Sequence, residues 1–381
     1  MTLPLTPVHP GLSNHARINS LDGLRGLAIL LVLLFHTYSR WPDFMPWATV
    51  HKDFFLFKFG HLGVELFFLI SGFVIYMTLE KCRSFSEFMY RRWLRLFPAM
   101  LIGTALVYLS SYYLIERPNG EATLLNTLPG LLFIDHQIMN ALQNITDFIP
   151  VEGAFWSLFV EVKFYLLFGA LYFHNKATAL RNLIMIFLCA FAYVVATKLI
   201  PGFSLKLAEK ILFNLLSLQY FGWFCVGALL YKAYMQNSKL LVCASVFMMI
   251  PTIMIKYDPE ASVLIACTLV YLTFYLALNT SVVSSIFASR LFAFFGFISY
   301  PLYLIHENAM VAMTIKTYHF APQLPELLTP WPGIILIVLV SYLIAKYLEP
   351  AMRDTLKKRL NVLNQTIKKE ASKRGFIRPA A

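Results

Sequence analysis

The sequence predicts an all-α polytopic membrane protein of about ten transmembrane helices, with both termini in the cytoplasm. Three observations carry this. Hydrophobic residues make up 59% of the chain and charged residues only 14%, against roughly 25% charge in a soluble domain. Apolar runs of about 18 residues or more, the length that crosses a hydrocarbon core, recur from end to end. Lys and Arg gather in alternate connecting segments, as cytoplasmic loops do. The net charge of +12 is therefore a topological signal, and no nucleic-acid partner is expected.

The runs place spans at about 22–40, 60–79, 94–115, 154–173, 182–200, 212–231, 240–255, 260–278, 291–315 and 332–348. The seventh and eighth are short and closely spaced. Residues 1–20 are polar and contain Pro, with no signal-peptide pattern, and are expected as a cytoplasmic segment ahead of an uncleaved first span. Residues 21–350 form the membrane domain, and 351–381 a basic, amphipathic cytoplasmic tail, expected as a solvated helix on the anionic inner leaflet. The long outer loops are Trp41–Phe59 and Glu116–Gly153. No internal repeat is evident. Of the five cysteines, all but Cys82 lie in apolar runs without CxxC spacing, so neither disulfide nor metal is expected.

Ionisable residues inside the spans are costly and mark function. Arg25 and His36 share the first run, LDGLRGLAILLVLLFHTY. Eleven residues make almost three helical turns, which puts both on one face about 16 Å apart along the axis. Depth sorts the other polar residues in two. On the inner side stand Arg25 and Arg91, Arg92 and Arg95 in FMYRRWLRLFP; Arg92 and Arg95 share a helix face, and guanidinium forks suit phosphate, though positive-inside anchoring explains arginines there equally well. On the outer side stand His36, Glu65 in HLGVELFFLISGFVIY, Glu161 in WSLFVEVKFYL and His306 in ISYPLYLIHEN. Two histidines and two carboxylates at similar depth on four spans exceed what helix packing requires. Lys163 points about 200° from Glu161 and is expected to pair elsewhere or snorkel. Glu307 directly follows His306 and so is expected to face elsewhere, in a structural role. Gly63, Ser71 and Gly72 permit close helix contact, and Pro301 is expected to kink its span, freeing carbonyls near Ser299 and Tyr303.

These blocks resemble the acyltransferase 3 family of integral membrane O-acyltransferases, which includes bacterial acetylases of lipopolysaccharide O-antigen and Nod factors. The likeness runs from about Arg17 to Pro350 and rests on RINSLDGLRGLAILLVLLFH, HLGVELFFLISGFVIY, FMYRRWLRLFP, WSLFVEVKFYL and ISYPLYLIHE, in the family's order. Arg25 with His36, and Arg92 with Arg95, match its signature patterns. The resemblance implies about ten spans in the bacterial inner membrane and acyl transfer from cytoplasmic acetyl-CoA, a donor substrate and not a resident cofactor, to a carbohydrate or glycolipid hydroxyl. Some members carry a C-terminal SGNH-hydrolase-like domain. The sequence after the last span is too short for one, so a second transfer step would need a separate periplasmic partner.

On this reading Arg92 and Arg95 hold the nucleotide part of CoA and Arg25 guides its pantetheine arm. His36 acts as general base or transient acyl carrier, oriented by Glu161. Glu65, His306 and Tyr303 line the acceptor side. The rival class is a proton-coupled transporter or flippase of a glycan or lipid-linked sugar, since intramembrane His, Glu and Lys also build proton relays. The missing repeat symmetry speaks against it.

Overall fold

A computed structural model describes residues 14–45, 48–142 and 148–373, and among them every regular element is helical. The larger helices are α1 (Asn14–Tyr38), α2 (Gly63–Glu80), α3 (Phe85–Ser111), α4 (Trp156–His174), α5 (Ala179–Leu199) and α6 (Phe221–Gln236). They continue with α7 (Lys239–Met254), α8 (Ala261–Asn279), α9 (Arg290–Phe320), α10 (Trp331–Leu343) and α11 (Glu349–Lys373). Among the described residues seven helices are long and apolar enough to cross a membrane, and two bent pairs bring the count to nine. One pair is Lys206–Leu215 with Leu218–Gln236, bent by 56°; the other is Ser281–Phe287 with Arg290–Phe320, bent by 59°. The apolar α7 is shorter than these. Its 16 residues span about 24 Å, less than a hydrocarbon core of about 30 Å. The chain is a multi-pass all-α membrane protein.

Several boundaries depart from the apolar runs for local reasons. α3 begins well before residue 94 because Ser84 caps it: Ser84 Oγ accepts from the Glu87 amide at 3.2 Å, and Glu87 Oε2 accepts from the Arg83 amide at 2.9 Å, close to a capping box. The arginine cluster is thereby carried into the second and third turns of α3. Pro301 lies inside α9 without ending it, and a 59° bend at 288–289 separates α9 from Ser281–Phe287. The basic tail continues α10 through a π-helical segment, Ile344–Leu348, and Trp331–Val362 reads as one span. Residues 1–13 and 374–381 of the expected terminal segments lie outside the described residues.

Close backbone approach fixes the framework of the site. α1 packs along α9, and α6 along α2. A Cβ on Gly26 would overlap the Phe292 carbonyl, and one on Gly296 the Asp22 carbonyl. The α1–α9 contact is therefore backbone to backbone, as small residues allow in membrane helices. A stacked aromatic column, with Phe68–Phe224 at 4.7 Å and Phe164–Phe224 at 4.2 Å, ties α2, α4 and α6 together.

Candidate active site

The α1–α9 pairing sets two cavities one above the other along α1. The first, ≈ 670 Å³ including its open mouth, is lined by Arg25, Arg92, Arg95, Ser71, Glu161 and Tyr303 among others. The second, ≈ 580 Å³, is lined by His36, Arg40, Glu65, Trp156, Lys256, Tyr303 and Glu307 among others. The shared face of Arg25 and His36 is thus real, and each residue serves a different cavity.

In the first cavity Arg25 donates to Asp22 Oδ1 at 2.5 Å, and Arg92 Nη2 donates to Thr78 Oγ1 at 3.2 Å with its guanidinium 5.6 Å from the Tyr165 ring. Arg92 Nε is buried without a partner among the described residues. Arg91 pairs instead with Glu87 at 2.6 Å on the exposed face of α3, so of the cluster only Arg92 and Arg95 line the cavity. Glu161 belongs here too. Its Oε1 accepts from Ser71 Oγ at 2.9 Å and from the Tyr165 hydroxyl at 2.5 Å. The expected contact between Glu161 and His36 is absent. Glu161 lies five residues into α4, about 7 Å below that helix's end, whereas His36 lies about 3 Å from the end of α1.

The second cavity is built around the His36 ring. Its Nδ1 is 2.9 Å from the Val32 carbonyl and 3.2 Å from His306 Nε2, while its Nε2 is 3.4 Å from Glu307 Oε1. His306 Nδ1 in turn lies 2.9 Å from the Tyr303 carbonyl. Carbonyls only accept, so both Nδ1 atoms carry hydrogen. His306 Nε2 then offers its lone pair to His36 Nδ1–H, and His36 Nε2 is left with its own lone pair, facing Glu307. His306 fills the orienting place expected of Glu161, and Glu307 supplies the carboxylate. Adjacent residues on a helix diverge by about 100°, which argued against Glu307. Both reach His36 because its ring lies in the crook between them and presents a nitrogen to each. The 3.4 Å separation from Glu307 exceeds a good hydrogen bond.

The long loop ahead of α4 closes this centre. Glu152 accepts from the Asn308 amide and from Asn308 Nδ2, each at 2.9 Å. Buried Arg117 holds the carbonyls of Val107 and Val151. Burial, and then the neighbouring Glu307 carboxylate, push Glu152 up to about 7, which leaves Glu307 as the standing charge beside His36. Gly153 makes room: a Cβ there would meet Glu307 Oε2 at 2.6 Å. Gly153→Ala should swing that carboxylate away from His36 and lower turnover on the order of tenfold, within what an ångström-scale misplacement costs. Steady-state rates at unchanged folded yield check this.

Glu65, buried on α2, anchors the far wall. Lys256 Nζ and the Tyr257 hydroxyl both donate to its Oε1 at 2.5 Å, and Oε2 has no partner among the described residues. The ammonium lies 4.8 Å from the Tyr220 and Tyr257 rings and 6.0 Å from that of Trp156, a cation–π arrangement. Lys163 faces away, donating to Ser217 Oγ at 2.8 Å. Glu152, Lys256 and Tyr257 come from connecting segments, and no sequence pattern marked them.

A polytopic helical membrane protein with an arginine-lined cavity and a second, aromatic one built around a buried His–Glu centre is the class that fold and site define. The family described as an acyltransferase domain matches residues 18–346, and the chain belongs to that family. It is similar to the peptidoglycan O-acetyltransferase OatA of Listeria monocytogenes, 28% identical over 164 residues, which is 40% of this chain and 24% of that protein. It is also similar to the O-acetyltransferase OatA of Staphylococcus aureus, 30% identical over 159 residues, or 39% of this chain and 23% of that protein. The matched stretch spans about a quarter of these relatives' length. No solved structure matches.

Proposed function

We propose that this protein is a membrane O-acetyltransferase that moves an acetyl group from cytoplasmic acetyl-CoA to a hydroxyl of a surface carbohydrate or glycolipid, in the inner membrane of a bacterium. The observation that carries the reading is the stacking of an arginine-lined cavity beneath the His36–Glu307 centre. Arg92 and Arg95 hold the phosphates of CoA, bidentate donors suiting phosphate oxygens, and Arg25 guides the pantetheine arm toward His36. Glu161, fixed by Ser71 and Tyr165, keeps the guanidinium groups from collapsing across the arm's path. On the other side the acceptor hydroxyl sits against His36 Nε2, beside Glu307. His36 takes its proton as it attacks the thioester; the Val32 carbonyl and His306, both at Nδ1, hold the ring in the working tautomer, and Glu307 stabilises the imidazolium that forms. The Trp156 ring and Glu65 offer an apolar plate and an acceptor of hydroxyl groups, the two surfaces of a sugar. Names of the OatA relatives make cell-wall glycan the first acceptor to try. A separate periplasmic protein completes delivery where the acceptor lies beyond reach of the membrane.

Transfer of radiolabelled acetyl from acetyl-CoA to a glycan, by the purified chain in lipid nanodiscs, tests this. Solute movement without acyl transfer would replace the reading with a transporter. Arg92→Ala should raise KM for acetyl-CoA about tenfold, the cost of one charge-assisted contact, with the acceptor KM changed less than about twofold. Equal changes in both would remove Arg92 from the donor site.

A further inference from the structure

One side chain, Tyr303, lines both cavities. It lies one turn before His306 on α9, with ring centroids 5.6 Å apart, and the Phe67 ring meets it edge-on at 5.9 Å from the first cavity's wall. Its hydroxyl accepts from Ser157 Oγ at 2.8 Å. That bond uses a lone pair and leaves the phenolic hydrogen without an acceptor among the described residues. Ser157, at the start of α4, lines the first cavity and also reaches the Ala154 carbonyl at 3.4 Å. An O–H donor thus stands on the wall that the arginine-lined cavity and the His36 cavity share.

We propose that Tyr303 is a catalytic residue whose hydroxyl donates to the thioester carbonyl oxygen and holds the charge that develops there, with Ser157 as its positioning residue. The proposal rests on the donor–acceptor reading of the two cavities given above. In the step, the acceptor oxygen bonds to the carbonyl carbon as its proton passes to His36 Nε2. The carbonyl π pair moves onto oxygen, facing the Tyr303 O–H. Collapse restores the carbonyl and breaks the carbon–sulfur bond, and the proton returns from His36 to the CoA thiolate, leaving an ester and free thiol. A donor aimed at a developing oxyanion in a dry site is worth far more than one in water. Tyr303 is 5% exposed.

Tyr303→Phe keeps the ring and its packing, and Ser157 turns its single hydrogen to the Ala154 carbonyl, so the variant loses one hydroxyl and strands no donor. The full chain in nanodiscs, with labelled acetyl-CoA and a glycan acceptor, should show kcat lowered about 10²-fold and KM for acetyl-CoA unchanged within about threefold. Inhibition by S-ethyl-CoA, a thioether without the carbonyl oxygen, should match wild type. Ser157→Ala, which frees the phenol to rotate, should lower kcat about tenfold. Wild-type kcat in Tyr303→Phe overturns the proposal, as does a loss confined to KM and shared by S-ethyl-CoA, which marks a packing role. Should Tyr303→Phe fail to yield monodisperse protein, Ser157→Ala decides, and wild-type kcat there is the overturning result. His36→Ala with wild-type transfer would sink the base assignment and leave the Tyr303 result standing. Wild-type protein without transfer would overturn the function and this proposal together.

Discussion

His36→Ala should abolish acyl transfer, lowering kcat about 10⁴-fold, the upper range for loss of a positioned base, while KM for acetyl-CoA stays within about threefold. The split follows from the geometry. Arg25, Arg92 and Arg95 line the lower cavity, and none of their contacts involves His36. The imidazole touches His306, Glu307 and the Val32 carbonyl, all groups of the upper centre. Removing it strands no buried charge on the donor side, so donor binding has no reason to fail. Single-turnover transfer with labelled acetyl-CoA, beside equilibrium binding of S-ethyl-CoA, measures both halves. Near-wild-type transfer by the variant would remove His36 from the chemistry. Acetyl-CoA affinity lost in proportion to rate would move it to the binding site. Labelled acetyl on acid-quenched wild-type protein, without acceptor, would show that Nε2 carries the acyl group and does not merely take a proton.

The parts of this site that could be read in sequence are those set by helix geometry alone. Eleven residues of helix are enough to put Arg25 and His36 on one face, and three enough to align Arg92 with Arg95, whatever the neighbouring helices do. What depends on how helices meet was hidden. Glu161 looked level with His36, but the packing of α4 turns its carboxylate into the arginine-lined cavity, where Ser71 and Tyr165 hold it. Glu307 looked averted because adjacent residues diverge on a helix, an argument that ignores the size and two-sidedness of the ring they share. Tyr303 was expected on the acceptor side, and it faces both cavities. Glu152 and the Lys256–Tyr257 pair lie in connecting segments, whose docking has no periodic signal. The polytopic helical class was legible for the opposite reason: an unsatisfied backbone cannot cross lipid, so hydropathy and helix coincide. The bend ahead of α6 was not, because it falls inside a single apolar run, and the one ahead of α9 was not, because Ser281–Phe287 fell outside every run.

Glu307→Gln should lower kcat about 10³-fold and change the protein's pH behaviour in a direction that can be worked out. The rate loss follows from charge: a carboxylate 3.4 Å from His36 Nε2 stabilises the imidazolium formed when the acceptor gives up its proton, and an amide of the same shape does not. The pH effect acts through Glu152, which is buried beside Asn308 and is held near 7 in the folded chain, first by burial and then by the Glu307 charge. Its ordinary value is 4.5, so the folded state binds the proton more tightly than the unfolded one. That contribution to stability is fully present below pH 4.5 and is lost as pH rises through about 7. Neutralising residue 307 removes one of the two causes and lowers Glu152. The fall in melting temperature between pH 5 and pH 7.5 should therefore be shallower in Glu307→Gln than in wild type, while burial keeps part of the slope. Thermal melts of the detergent-purified pair across that range provide the test. Parallel slopes would mean that the two carboxyls do not share a field, and the charge beside His36 would then have to be sought elsewhere. A shallower slope with an intact kcat would separate the electrostatic coupling from catalysis and leave Glu307 a structural neighbour of the imidazole.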